Sequence, residues 1–255
     1  MSAQHPLRDA ALAVSLLTIV PTRVRWPEDG GPQVAGWFPV VGGLLGLVGY
    51  GIAKTVEATP LLQRAPLVLA ALIVLVWALL TRLLHYDGLA DVADGYWGSH
   101  DRTRRLEIMS DSHTGAFGAA AVSLCSILMV ASVASILGAP HELPLLIVPV
   151  FSRFAATAAA WLGKPARPGG LGRSVMGRPT FFSALIALVA LGLATYAAWL
   201  GFHGAGLALS GLGVVLALGV PHVVSLRFGG VTGDVMGASV LITEALLFAA
   251  FAMVV

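Results

Sequence analysis

Residues 82–118 read RLLHYDGLADVADGYWGSHDRTRRLEIMSDSHTGAFG. Asp87, Asp91 and Asp94 stand at i, i+4 and i+7. At about 100° per residue those positions fall on one side of a helix, so the three carboxylates share a face. The stretch continues from an apolar run over 65–84. An unbroken helix over 65–94 is about 45 Å long at 1.5 Å per residue. A bilayer's hydrocarbon core is about 30 Å thick, so the carboxylates belong at or just beyond its surface. Glu107 and Asp111 repeat the device at i and i+4, immediately before the next apolar run.

Composition supports a membrane reading. The chain has 255 residues, 57% hydrophobic and 11% charged. Soluble domains carry about 25% charged residues. Mean hydropathy is +0.87. With 15 basic and 13 acidic residues the chain cannot build a soluble shell. A water-soluble domain, a disordered tail and a disulfide scaffold are excluded. A net charge of +2 gives no reason to expect nucleic acid. Cys125 is the single cysteine, which leaves neither a disulfide framework nor a thiolate metal site.

Seven stretches reach the roughly 20 apolar residues that a span needs: 34–53, 65–84, 115–137, 144–163, 181–200, 206–224 and 234–254. The last is the weakest, because it holds Asp234 and Glu244. The N-terminal MSAQHPLRDAALAVSLLTIVPTRVRW has too short an apolar core to span; against a signal peptide, Pro21, Arg23 and Arg25 stand where the cleavage site should be, and the segment reads as interfacial and amphipathic. The predicted fold is all-α: a polytopic integral membrane helical bundle of six or seven transmembrane helices plus an N-terminal interfacial helix, one embedded domain over 1–255. Arg8, Arg23, Arg25, Arg102, Arg104, Arg105, Lys164, Arg167, Arg173, Arg178 and Arg227 all fall on one side of seven spans. Lys54 and Arg64 fall on the other. Positive loops stay inside, so the acidic loop 85–114 and the basic loop 164–180 are expected to face the cytoplasm.

Carboxylates stacked on helix faces repel one another unless a cation neutralises them. Mg²⁺ suits the role, taking one or two carboxylates plus substrate phosphates. Asp87, Asp91, Asp94, Glu107 and Asp111 are the candidate ligands; the alternative is a solvated acidic face paired with Arg102, Arg104 and Arg105. Gly88 and Gly95 let a ligand or another backbone come close. His85 and His113 read as satisfied polar residues, and Ser112 as a phosphate donor or a cap. The loop GKPARPGGLGRSVMGRP (163–179) holds four cations, five glycines and no acid, which suits a polyphosphate or a topogenic role. Arg153 and Glu244 lie inside spans, where charge is costly and usually functional: Arg153 is a candidate partner for a phosphate or a carboxylate, and Glu244 is a possible mate for it. Asp234, in RFGGVTGDVMGA (227–238), either caps the last helix or completes the polar site.

HYDGLADVADG (85–95), RRLEIMSDSHTGAFG (104–118) and FGGVTGDVMGA (228–238) resemble the cobalamin 5′-phosphate synthase family, also called adenosylcobinamide-GDP ribazoletransferases. That family shows HxDGLADxxDG, RxLEIMxDSxxGxxG and GGxTGDxxGAxxxxxE, and the resemblance extends through SLLTIVPTRV and WFPVVGGLLG over nearly the whole chain. One departure is Ser110, where the family often carries Lys or Arg. The resemblance implies transfer of adenosylcobinamide-GDP onto α-ribazole or its 5′-phosphate, with GMP released and Mg²⁺ required. It implies a multi-pass protein of a bacterial or archaeal cytoplasmic membrane, embedded in lipid bilayer and compatible with oligomers. On that reading Asp91 or Asp94 is the general base. Arg102, Arg104, Arg105, Ser112, Arg153, Lys164, Arg167, Arg173 and Glu244 bind substrate. Two rival readings are a CDP-alcohol phosphatidyltransferase, whose DGxxAR pattern fails after Gly88, and a cation-coupled transporter, which explains the spans but not the acidic surface cluster.

Overall fold

A computed structural model describes residues 6–27, 31–57, 65–139 and 142–254. The chain runs through α1 (Pro6–Leu17), a 3-10 turn (Val34–Trp37), α2 (Phe38–Glu57), α3 (Pro66–Leu80) and α4 (Leu84–Gly98). It continues through α5 (Arg102–Ile108), α6 (Ala116–Leu137), α7 (Leu143–Leu162), α8 (Leu171–Ser174), α9 (Phe181–Leu226) and α10 (Gly233–Ala252). No strand forms among the described residues, only an isolated bridge between Pro165 and Val231. The fold is an all-α polytopic membrane bundle, as expected.

Five helices are long and apolar enough to cross a membrane, and α3 with α4 supplies a sixth if counted as one broken span. α9 itself contains two of the expected spans. Its 46 residues break at His203, whose φ of 49° and ψ of −123° are not helical. A Cβ on Gly206 would stand 2.1 Å from the carbonyl oxygen of Ala198, so the arms 181–202 and 204–226 fold back on each other. Each arm is about 33 Å long, enough to cross a bilayer.

The central helices are α7 and α10, with Phe151, Ile147, Phe248 and Leu241 buried. α6 and α9 present Leu124, Ile127, Leu188 and Leu193 outward, as lipid-facing helices do. α2 packs on α7 through small residues. A Cβ on Gly42 would stand 2.1 Å from the Pro149 carbonyl, and one on Gly46 2.6 Å from that of Leu146. Glycines at this spacing let two backbones meet, which is how helices gain packing energy in lipid. α1 buries Leu12 and Ala13 against the rest of the bundle.

The expected straight helix over 65–94 is not formed. α3 and α4 meet at 88°. Arg82 (φ 54°) and Leu83 (φ 57°) turn the chain in the left-handed region, at a cost of roughly 1–2 kcal/mol per residue. The Arg82 guanidinium holds the turn by donating to the carbonyls of Ser15 (3.0 Å) and Leu16 (3.3 Å) on α1. The Thr81 hydroxyl donates back to the Trp77 carbonyl (2.9 Å). α4 therefore swings away and packs against α10 and α6.

The loops expected on one side do gather at one end. Arg102 donates to the carbonyls of Phe228 (2.9 Å) and Ala166 (3.0 Å). Val231 N–H donates to the Lys164 carbonyl at 2.7 Å. At the opposite end of α2 and the start of α7, Lys54 pairs with Glu142 at 2.6 Å. Arg64 lies outside the described residues.

Candidate active site

The site begins where α4 crosses α10. A Cβ on Gly88 would stand 2.8 Å from the Asp234 carbonyl, so only glycine lets the helices approach there. The neighbour that Gly88 admits is thus protein backbone. This contact brings the α4 acidic face beside the start of α10. Asp91 is half-buried and has Asp234, Asp87 and Asp94 as like-charged neighbours, with Arg167 opposing them. Asp87 is exposed.

Arg167 ties the loops together. One guanidinium nitrogen donates to Asp234 at 2.9 Å and the other to the Ser110 hydroxyl at 2.6 Å. The cation from the basic loop therefore reaches both the C-terminal motif and the position where the family often carries a cation of its own. Thr232 is the cap of α10, accepting from Val235 N–H at 3.2 Å. The Thr232 hydroxyl also donates to Asp234 at 3.2 Å, and Asp234 itself joins the acidic group. In the TGD order Thr232 takes the cap and leaves the Asp234 carboxylate free to join the acidic group.

Asp94 is placed differently. Its two oxygens accept the N–H groups of Gly115 (2.7 Å) and Gly118 (2.9 Å), which fastens α4 to the start of α6. Glycine is required at both positions, since a Cβ at either would stand within 2.5 Å of an Asp94 oxygen. Asp94 is buried, and its oxygens satisfy helix-start donors that otherwise lack partners.

Glu107 and Asp111 lie on an exposed rim. Glu107 pairs with Arg104 at 2.9 Å. The His113 ring nitrogen and N–H beside Asp111, at 2.6 and 3.0 Å, hold its carboxyl below the usual carboxylate range. With Asp94, Arg104, Phe117 and Gly115 they line a cavity of about 320 Å³. Ser112 is exposed on the same rim.

A second cavity, of about 220 Å³, carries Asp87, Asp234, Arg167 and Arg173 on its wall. Of the five expected metal ligands, Asp87 lines this opening, Asp94, Glu107 and Asp111 line the other, and half-buried Asp91 lines neither; among the described residues no three His, Cys, Asp or Glu side chains converge on one metal position. Their chemistry still fits a hard divalent ion. Asp87, Asp91 and Asp234 are oxygen donors with excess negative charge, and Mg²⁺ habitually completes its shell with water and phosphate oxygens.

The expected substrate cations also separate. Arg167 and Arg173 reach the cavity. Arg104 is on the rim. Arg102 and buried Arg105 are spent on backbone carbonyls; Arg105 donates to Ser99 (2.7 Å) and Arg227 (3.0 Å). Lys164 is exposed, and its carbonyl receives Val231. Arg153 and Glu244 pair with each other between α7 and α10, each about 2% exposed. The ion pair, with Arg153 also donating to the Ser152 hydroxyl, clamps the two central helices, while the buried Arg153 Nε has no partner among the described residues.

The fold and site define a polytopic membrane protein whose charged centre lies at one end of the bundle, built from three loops and the α4–α10 crossing. The chain belongs to the cobalamin-5-phosphate synthase family, whose model matches residues 9–252. The adenosylcobinamide-GDP ribazoletransferase of Syntrophobacter fumaroxidans is 40% identical over 250 residues, covering 94% of this chain and 96% of that protein. The protein of the same name from Frankia casuarinae is 40% identical over 268 residues, covering 97% and 95%. That of Pseudomonas aeruginosa is 34% identical over 255 residues, covering 98% and 100%. No solved structure matches the chain.

Proposed function

We propose that the protein is an adenosylcobinamide-GDP ribazoletransferase that joins adenosylcobinamide-GDP to α-ribazole or its 5′-phosphate. The products are adenosylcobalamin or its 5′-phosphate, and GMP. The observation that carries this reading is the meeting of Arg167, from the basic loop, with the Asp87–Asp91–Asp234 group. A diphosphate and its metal need both signs of charge in one place, and full-length relatives bear the matching name.

A ribazole hydroxyl oxygen forms a bond to the phosphorus on the cobinamide side of the diphosphate. The bond from that phosphorus to the GMP phosphate oxygen breaks, and its electron pair leaves with GMP. Asp91 takes the hydroxyl proton, since both oxygens of Asp94 are committed to backbone N–H groups. A base within hydrogen-bond reach contributes roughly 10²–10⁴-fold. Arg167 and Arg173 hold phosphate oxygens, and Asp234 fixes the Arg167 fork. Asp87 and Asp91 would hold Mg²⁺ beside Asp234, with Glu107 and Asp111 to be recruited from the rim; the ion would neutralise diphosphate charge and stabilise the departing phosphate. The cations of the loops at the site end support, by the positive-inside rule, a site on the cytoplasmic face, and the family reading supports a bacterial or archaeal inner membrane.

The test is GMP release by purified protein in lipid, given both substrates with Mg²⁺ or chelator. Release that needs both acceptor and Mg²⁺ is the expected result. No release from folded protein would sink the assignment and turn attention to CDP-alcohol substrates.

A further inference from the structure

The 220 Å³ cavity has two chemistries. Asp87, Asp234, Arg167 and Arg173 line one part, and Leu16, Leu17, Phe38, Leu84, Met236 and Val240 another. The order along α10 gives the direction. Val240 is six residues past Asp234, about 9 Å further along the helix axis. The cavity is charged at the bundle end and apolar toward its interior. His85 also lines it, and its Nε2 is buried with no hydrogen-bond partner among the described residues. A buried polar atom without a partner is costly, and calls for an external one.

We infer that this cavity holds the aromatic base of the acceptor, with the sugar and phosphate toward Arg167 and Arg173. The inference rests on the transferase reading. A corrinoid is excluded by size, since drug-sized pockets already run from roughly 300 Å³ upward. Guanine is disfavoured by chemistry, because its many polar edge atoms would face Leu and Phe side chains unpaired. The benzimidazole base of ribazole is flat and apolar, with one ring nitrogen free to accept. The His85 ring in the cavity wall is the polar partner available to that nitrogen. Leu16 and Leu84 then set the size of base accepted.

The test uses Leu16→Trp in the full-length protein, with steady-state GMP release measured against each substrate separately. The expected result is a KM for α-ribazole phosphate raised about tenfold, with the KM for adenosylcobinamide-GDP almost unchanged. An acceptor bearing imidazole in place of benzimidazole should be penalised less, because it leaves room for the Trp ring. His85→Phe should raise the acceptor KM while preserving the size preference. If Leu16→Trp fails to insert, Leu16→Phe asks the same question with less added volume. Unchanged acceptor KM in an active variant, or a raised KM for adenosylcobinamide-GDP, overturns the base assignment and leaves the transferase reading standing. Absence of GMP release from folded wild type overturns that reading, and this inference with it.

Discussion

The two acidic groups look alike in sequence and differ in the folded protein. Asp87 and Asp91 are four apart, as are Glu107 and Asp111. The first pair meets Asp234 and Arg167, both remote in sequence, at a helix crossing. The second pair finds its partners, Arg104 and His113, within three residues on an exposed rim. Spacing fixes which side of a helix a carboxylate occupies. It does not fix whether another element comes to that side. The first group is a site assembled by tertiary packing, and the second is a local charge pattern that a ligand would have to recruit.

This contrast makes Asp91→Asn the most damaging substitution. It keeps shape and removes both the proton acceptor and one charge from the crowded group. GMP release should fall about 10³-fold, the range of a lost general base, with thermal unfolding little changed. A variant that keeps a tenth of wild-type turnover would move the base elsewhere and erase the distinction between the two groups.

Arg167→Ala comes next. It breaks the link from Asp234 to Ser110 that joins the basic loop to both acidic motifs. The pair is about a third exposed, so solvent screens it and the cost is moderate. About tenfold to a hundredfold loss in kcat/KM is expected, and Arg167→Lys should restore little, because a point charge cannot serve two acceptors with a planar fork. Full rescue by Lys would reduce the role to net charge.

Asp94→Ala sharpens the comparison from a third side. If Asp94 is the clasp between α4 and α6, its loss is one of stability: about 1–2 kcal/mol, the cost of a lost helix cap. The readout is a lower unfolding temperature in detergent, with the surviving folded fraction still active. A drop in turnover matching that of Asp91→Asn, with unfolding unchanged, would instead make it chemical.

How far this could be read beforehand varies with the kind of force involved. The spans were legible because apolar length is a local property, and the two arms of α9 fall on the expected 181–200 and 206–224 despite a continuous helical trace. The shared face of Asp87, Asp91 and Asp94 was legible for the same reason. The 88° turn after α3 was not. Arg82 and Leu83 carry no Gly or Pro signal, and the turn depends on the grip of Arg82 on α1 carbonyls, a contact across 66 residues or more. The fate of Asp94 was equally hidden, because Gly115 and Gly118 become its donors only when α6 starts beside α4. Arg153 and Glu244 were visible as intramembrane charges and as possible mates, and they do pair with each other, because a lone charge inside the bundle is costly.

The smallest effect belongs to Asp111→Asn. Asp111 is exposed and held by His113, both through the ring and through the backbone N–H. Exposed pairs of this kind contribute little to stability, so the fold should not register the change. Any functional consequence must come from recruitment to the metal, since Mg²⁺ takes few protein carboxylates and fills its shell from phosphate and water. Removing one peripheral oxygen donor should raise the Mg²⁺ concentration for half-maximal GMP release by about threefold, roughly half the free energy of a tenfold change, while kcat at saturating Mg²⁺ stays near wild type. Glu107→Gln should behave alike, and the double variant should add the two shifts if each acts only through the metal. Collapse of kcat at saturating Mg²⁺ in either variant would show that the rim closes over the α4 group during turnover, and that the two acidic groups form one site once substrate is bound.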